Sequence, residues 1–171
     1  ALLSQPRGTG DGAGGSGNGT GSGNGTIIDY CEIACPSCNT GNVFGMGGWG
    51  SPPNGNNPGA YLHNNFPTWF PNGITLGCAG GYTLHLATAQ DVTNFLPQGG
   101  TPRQLSQSYV NPTNRITVLA GHLLTLAINV KSNQSLGGQT ITNGPFTGMT
   151  VNAFLADAND YFGGCKGGTA T

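Results

Sequence analysis

Charge is what this sequence has least of. Of 171 residues only 5 are Lys or Arg and 6 are Asp or Glu, 6% of the chain, giving a formal net charge of −1. Ordinary soluble domains carry about 25% charged residues. No basic patch is available to attract phosphates, which excludes nucleic acid as a partner. Long apolar runs are missing as well. The longest, Val118 to Ile128, is interrupted by Gly121, His122 and Thr125 and is too short for a membrane span. Methionine is confined to Met46 and Met149, and the sequence opens on Ala1, a residue of the kind left by signal-peptidase cleavage. The expectation is an exported chain, extracellular or at the cell surface after signal-peptide removal. There is no Gly-x-Ser-x-Gly elbow and no HExxH metal helix, so the usual hydrolytic signatures are wanting. Hydrophobic residues nevertheless make up 36% of the chain, enough to keep it out of the disordered class and to build a core.

Glycine (32 residues), asparagine (18) and threonine (19) take the place of charge. A surface of hydroxyls, amides and bare backbone resists close self-contact little, and salt alters its contacts little. That composition suits self-assembly and is tolerated equally by a secreted monomer. The five cysteines fit an oxidising compartment, and their odd number leaves one unpaired within the chain or used between chains.

Residues 1–26 differ from all that follow. Glycine occupies positions 8, 10, 12 and 14 and, after a slip at Gly14-Gly15, positions 17, 19, 21, 23 and 25. Between Leu3 and Ile27 the only apolar side chain is Ala13, so the segment cannot fold by itself. One reading is a flexible linker. The period supports another: in an extended strand residues two apart share a face. Each run would then show a bare face, built from Gly8, Gly10 and Gly12 before the slip and from Gly17, Gly19, Gly21, Gly23 and Gly25 after it, and an opposite face drawn mostly from Thr, Ser, Asn and Asp. A bare face admits a second backbone at close range, as when a strand is added to a neighbour's sheet edge.

From Ile27 the pattern is that of one domain, 27–171. Leu62, Phe66 and Phe70 recur every four residues, predicting a short helix that Pro67 kinks or ends. Ile74–Leu76 and Tyr82–Leu86 alternate around Gly77–Gly81, predicting a hairpin. Thr88 with Asp91 marks a helix start and Pro97 its end. A central helix is expected over Ile116–Val130, with Leu119, Leu123, Leu126 and Val130 on one face. Thr150 should cap a last helix, Val151–Phe162, whose buried stripe is Val151, Leu155, Ala158 and Phe162 and whose stop is Gly163-Gly164. The predicted architecture is α+β: a small antiparallel sheet packed by about four helices, stapled by disulfides, behind an extended glycine-rich arm.

Few constellations carry chemistry. Cys31, Cys35 and Cys38 have the C-x3-C-x2-C spacing of an iron–sulfur ligand set. A chain this small holds no barrel to house such a cluster. Cys35-Pro36-Ser37-Cys38 lacks the histidine that c-type haem needs, since position 39 is Asn39, and no βαβ unit supports a thiol oxidoreductase. A zinc site from the three cysteines with Cys78 or His63 is an alternative to disulfides. The simplest disulfide scheme uses the distant Cys78 and Cys165 to staple the Cys31–Cys38 cluster to the domain. His63, His85 and His122 are isolated. Asp157 with Asp160, and Asp29 with Glu32, are carboxylate pairs of the type that hydrolyses glycosides, but are read as solvent-facing. Trp49 and Trp69, with Tyr61 and Tyr82, form either core or a sugar-stacking platform. Asn18, Asn24 and Asn133 head glycosylation sequons. No catalytic residue, metal or cofactor is expected.

Four stretches in order, GMGGWGSPPNGNNPGAYLHNNFPTWFPNGITLGC, LHLATAQDVTNFLPQGGTP, LAGHLLTLAINV and GPFTGMTVNAFLADANDYFGGC, together resemble a domain of large secreted, adhesin-like surface proteins of Bacteroidota-type bacteria, over about Gly45 to Cys165. The resemblance implies an extracellular domain without established catalytic residues and of unassigned ligand. The arm and the Cys31–Cys38 loop in front depart from it and suit a small repeating subunit. The sequence thus predicts a structural subunit of an extracellular filament or sheath that binds further copies of itself head to tail through residues 8–26. The alternative is a monomeric adhesin that binds surface glycans.

Overall fold

Two alternating runs and several stretches of helical period fix the elements, and each helix of two turns or more starts at a side chain that caps it. The computed structural model describes residues 42–166. In chain order they form α1 (Met46–Trp49), α2 (Pro58–Trp69), β1 (Ile74–Gly77), β2 (Thr83–Leu86), α3 (Ala89–Phe95), β3 (Tyr109–Val110), α4 (Val118–Ser132), a 3-10 turn (Leu136–Gly138) and α5 (Val151–Phe162). The result is a mixed α/β fold of five helices around a three-stranded sheet ordered β1-β2-β3. β1 and β2 form the expected antiparallel hairpin, with Ile74 opposite Leu86. The sheet is not wholly antiparallel, however: β3 lies parallel to β2, with Leu84 opposite Tyr109. Its connection runs through α3 and a long loop, and a crossover of that length is what a parallel neighbour needs. The two-residue β3 carries no sequence period by which it could be recognised.

Asn57 Oδ1 accepts from the Ala60 amide at 2.8 Å, and Pro58 opens α2 at a position where no amide donor is needed. Thr88 and Asp91 form a complete capping box on α3. α4 begins at Val118 rather than Ile116 because Thr117 is its cap. The buried Thr117 hydroxyl accepts from the Leu119 and Arg103 amides and donates to the Thr101 carbonyl. Pro67 sits inside α2, which continues to Trp69. Its ring leaves the His63 carbonyl without a helical donor, and the helix survives only to the end of that turn. Thr150 caps α5 as expected, and the chain turns out of it at Gly163 and Gly164, the latter at φ +82°.

The core joins Trp49, Leu62 and Phe66 to Leu76, Leu84 and Leu86 of the hairpin, Val92 and Phe95 of α3, Leu124 and Ile128 of α4, and Phe162 of α5. The buried face of α4 is Ala120, Leu123, Leu124 and Ile128, rotated from the expected stripe, so that Leu119, Leu126 and Val130 are half-buried. Of the α5 stripe only Phe162 is fully buried, and Val151, Leu155 and Ala158 are half-buried. Hydrogen bonds close the polar gaps. Buried Gln98 accepts from the Ile116 amide at 2.7 Å and donates to the Phe95 carbonyl at 2.6 Å. Asn129 accepts from both the Trp49 indole N–H (2.8 Å) and the Phe44 amide (3.0 Å), and donates to the Phe44 carbonyl. Replacing Asn129 by Leu leaves the indole N–H of a fully buried tryptophan without an acceptor. The expected loss is about 1–3 kcal/mol of stability, measured as a lowered midpoint in urea unfolding with the m-value unchanged.

Candidate functional site

The C-terminal end of α5 lies against the β1–β2 turn, and four contacts hold it there. The Phe162 carbonyl accepts from the Leu105 amide and the Gly163 carbonyl from the Tyr82 amide, each at 2.8 Å. Asn159 Oδ1 accepts from the Gly77 amide at 2.9 Å. Cys78 is disulfide-bonded to Cys165, with Cα atoms 6.3 Å apart across 87 residues of sequence. The approach is too close for a side chain: a Cβ at Gly163 would stand 2.6 Å from the Cys78 nitrogen.

This pairing corrects the expected scheme in which Cys78 and Cys165 each reach the Cys31–Cys38 loop. The last turn of α5 delivers Cys165 directly to the hairpin, within bridging distance of Cys78. It also removes Cys78 from any zinc site. Cys31, Cys35 and Cys38, with Asp29 and Glu32, lie outside the described residues. Among the described residues no group of three or more His, Cys, Asp and Glu side chains is placed to hold a metal ion, and no helix is long and apolar enough to cross a membrane. Asp157 and Asp160 are not a free carboxylate pair. Lys166 is hydrogen-bonded to Asp157 and stands 3.7 Å from Asp160. The Asp157 hydrogen bond, helped by the charge of both carboxylates, holds the exposed Lys166 ammonium above the usual lysine range.

The histidines have local partners where they have any: His63 Nε2 pairs with Thr93 Oγ1 and His85 Nδ1 with Thr75 Oγ1, both at 2.9 Å, and His122 is exposed. Three of the four aromatics expected as core or platform cluster. Trp49 is 0% exposed; Trp69 meets it edge-on, and Tyr61 stacks on Trp49 while meeting Trp69 edge-on. Tyr82 is exposed on the hairpin. Trp49 is therefore a core residue, because its indole N–H already has an internal acceptor and leaves nothing for a ligand. Asn133 closes α4, and its side-chain oxygen accepts from the Ser135 amide and hydroxyl. The glycine positions 8 to 25 and the sequons at Asn18 and Asn24 lie outside the described residues.

One feature the sequence does not announce is a groove of about 350 Å³ beside the outer edge of β1, walled by Ala127, Val130 and Lys131 of α4 and by Leu155 and Asn159 of α5. The hydrogen-bonding phase of β1 is set by its neighbours. Gly77 donates to Asn159, Thr83 to Ser108, and the His85 carbonyl accepts from Asn111. The opposed pairs Gly77/Thr83 and Thr75/His85 are thus the non-hydrogen-bonded ones. The amide and carbonyl of Thr75 point away from β2, towards the groove it helps to line. At Gly77 the edge is covered by Asn159; at Thr75 it is open. A second cleft, about 190 Å³ between Pro67 and Thr88, presents His63, which is already paired with Thr93.

Two outcomes follow from these contacts. Replacing Cys78 and Cys165 together by Ala should cost about 2–5 kcal/mol for so long a loop, seen as a lower midpoint in denaturant that matches the wild type under reductant. Trp49→Ala should cost about 3–5 kcal/mol through the cavity it leaves, visible in the same assay; a variant of wild-type stability would contradict the core placement. Searches of protein-family models, of curated proteins and of solved structures find no significant match to this chain.

Proposed function

We propose that this protein is a structural subunit of an extracellular filament or sheath, joined head to tail by docking residues 8–26 of one copy onto the body of the next. The observation that carries the reading is the glycine alternation of that segment, which over residues 15–26 sets glycine at every second position against Ser, Asn and Thr. Such a segment gains little by burying its own side chains, and main-chain hydrogen bonds to a sheet edge are the favourable contacts open to it. The scarcity of charge supports the same reading, because copies can meet without electrostatic cost. A contact between copies that does not close on itself propagates as a fibre. The Cys78–Cys165 bond supports an oxidising, extracytoplasmic setting. The reading assigns no catalytic step, metal or cofactor. The carbohydrate-binding alternative draws no support from Trp49, which has no exposed surface.

Electron microscopy and sedimentation of the purified protein test it. The full chain should form filaments whose assembly is nearly indifferent to sodium chloride between low and molar concentration, and the chain lacking residues 1–26 should stay monomeric. Filaments from the truncated chain, or a full chain that remains monomeric at every concentration, would overturn it.

A further inference from the structure

We infer that the receptor for the arm is the groove along β1, where the glycine-alternating segment of a second copy adds to the sheet edge at Thr75. The inference rests on the filament reading and specifies its contact. β1 is an edge strand in the order β1-β2-β3. Its side chains alternate, with Ile74 and Leu76 buried towards the helices and Thr75 exposed on the outer face. A strand added beside it continues that alternation. Its residues on the helix side would face Ala127, Val130 and Leu155; those on the outer side would face solvent beside Thr75 and His85.

The helix side narrows towards Gly77. α5 stands close enough to β1 for the Asn159 side chain to reach the Gly77 amide at 2.9 Å. A backbone without Cβ atoms can pass Asn159 and bring its own amide and carbonyl to Thr75, whereas larger side chains beside Asn159 would be held off. The outer side, open to water, suits Thr, Ser and Asn. These are the two faces that residues 15–26 present in strict alternation. Every glycine-plus-polar pair in the segment offers the same fit, so register is weakly specified.

The chain before Asn42 is long enough for another copy to be the donor. The described chain starts at Asn42, whose carbonyl accepts from Ser132 Oγ at 2.8 Å, next in sequence to the groove residue Lys131. Residues 27–41 can span up to about 50 Å when extended, more than the roughly 30–35 Å width expected of a body this size. Residues 8–25 would cover about 60 Å if fully extended, whereas β1 has four residues. One edge therefore uses only part of the arm, and the remainder passes beyond the body that holds it.

Amide hydrogen exchange on the full chain, quenched and read residue by residue, tests the contact, with assembly of Thr75→Pro as a second readout. Proline removes only an outward-facing amide from an edge strand and leaves the β1–β2 ladder its bonds. On assembly the Thr75 amide should slow on the order of 100-fold relative to the same protein below its assembly concentration. The Val110 amide, on the opposite edge strand, should change little. Thr75→Pro should raise the concentration needed for assembly by about tenfold or more. Filaments that form with Thr75 exchange unchanged, and that Thr75→Pro forms at the wild-type concentration, would overturn the groove and leave the filament reading standing. Protection of Thr75 already present in the monomer and independent of concentration would place the chain's own arm there and overturn the inter-copy contact. Absence of assembly under all conditions would remove both.

Discussion

The docking of the last turn of α5 against the β1–β2 turn is the contact on which the rest of the structure depends. It satisfies the Tyr82 and Leu105 amides with helix-terminal carbonyls, caps the Gly77 amide with Asn159 and is closed covalently by Cys78–Cys165. Helix termini leave carbonyls without intrahelical partners; here two of them become acceptors for the hairpin and for the loop before β3. A two-stranded hairpin is only marginally stable alone, and the two-residue β3 adds little to it. It persists because one helix is fastened across its turn while α4 supplies the buried face behind it.

The same contact shapes the candidate site. Because α5 reaches the edge of β1 only at Gly77, the strand is covered at that end and open at Thr75. Exposed edges invite pairing with other chains, and proteins commonly guard them with charge, proline or a covering element. This chain has little charge to spend on such protection. An uncovered edge flanked by a shallow apolar groove, in a molecule that also carries a segment of nearly bare backbone, is a complementary pair of features. Each alone is a liability or a linker; together they are what the proposed joint between copies needs.

Much of the fold is legible from local signals. Thr88 with Asp91, and Thr150 with Gly163-Gly164, mark helix ends through side-chain and glycine chemistry that acts within one turn. The hairpin follows from alternation about Gly77–Gly81. Long-range features escape that kind of reading. Two-residue β3 has no period. The face of α4 is rotated because it answers to the sheet and α5 at once, and its apolar residues on nearly every side leave the choice open. Cys78 and Cys165 are paired by the geometry at the end of α5, and nothing in their spacing distinguishes that from pairing with Cys31, Cys35 or Cys38. The groove is equally silent in sequence, since it arises where half-buried Val130 and Leu155 fail to close over Thr75. Trp49, open in sequence to core packing or ligand stacking, is held by Asn129 within the core.

The central claim is that a backbone without side chains on one face is held by the free edge of another copy's sheet. Electron cryo-microscopy of the assembled protein at a resolution that traces main chain tests it most directly. The account predicts continuous density for a strand beside β1 at Thr75, leading back to Asn42 of an adjacent subunit. A filament in which that edge is empty, or is occupied by the subunit's own residues, would contradict it.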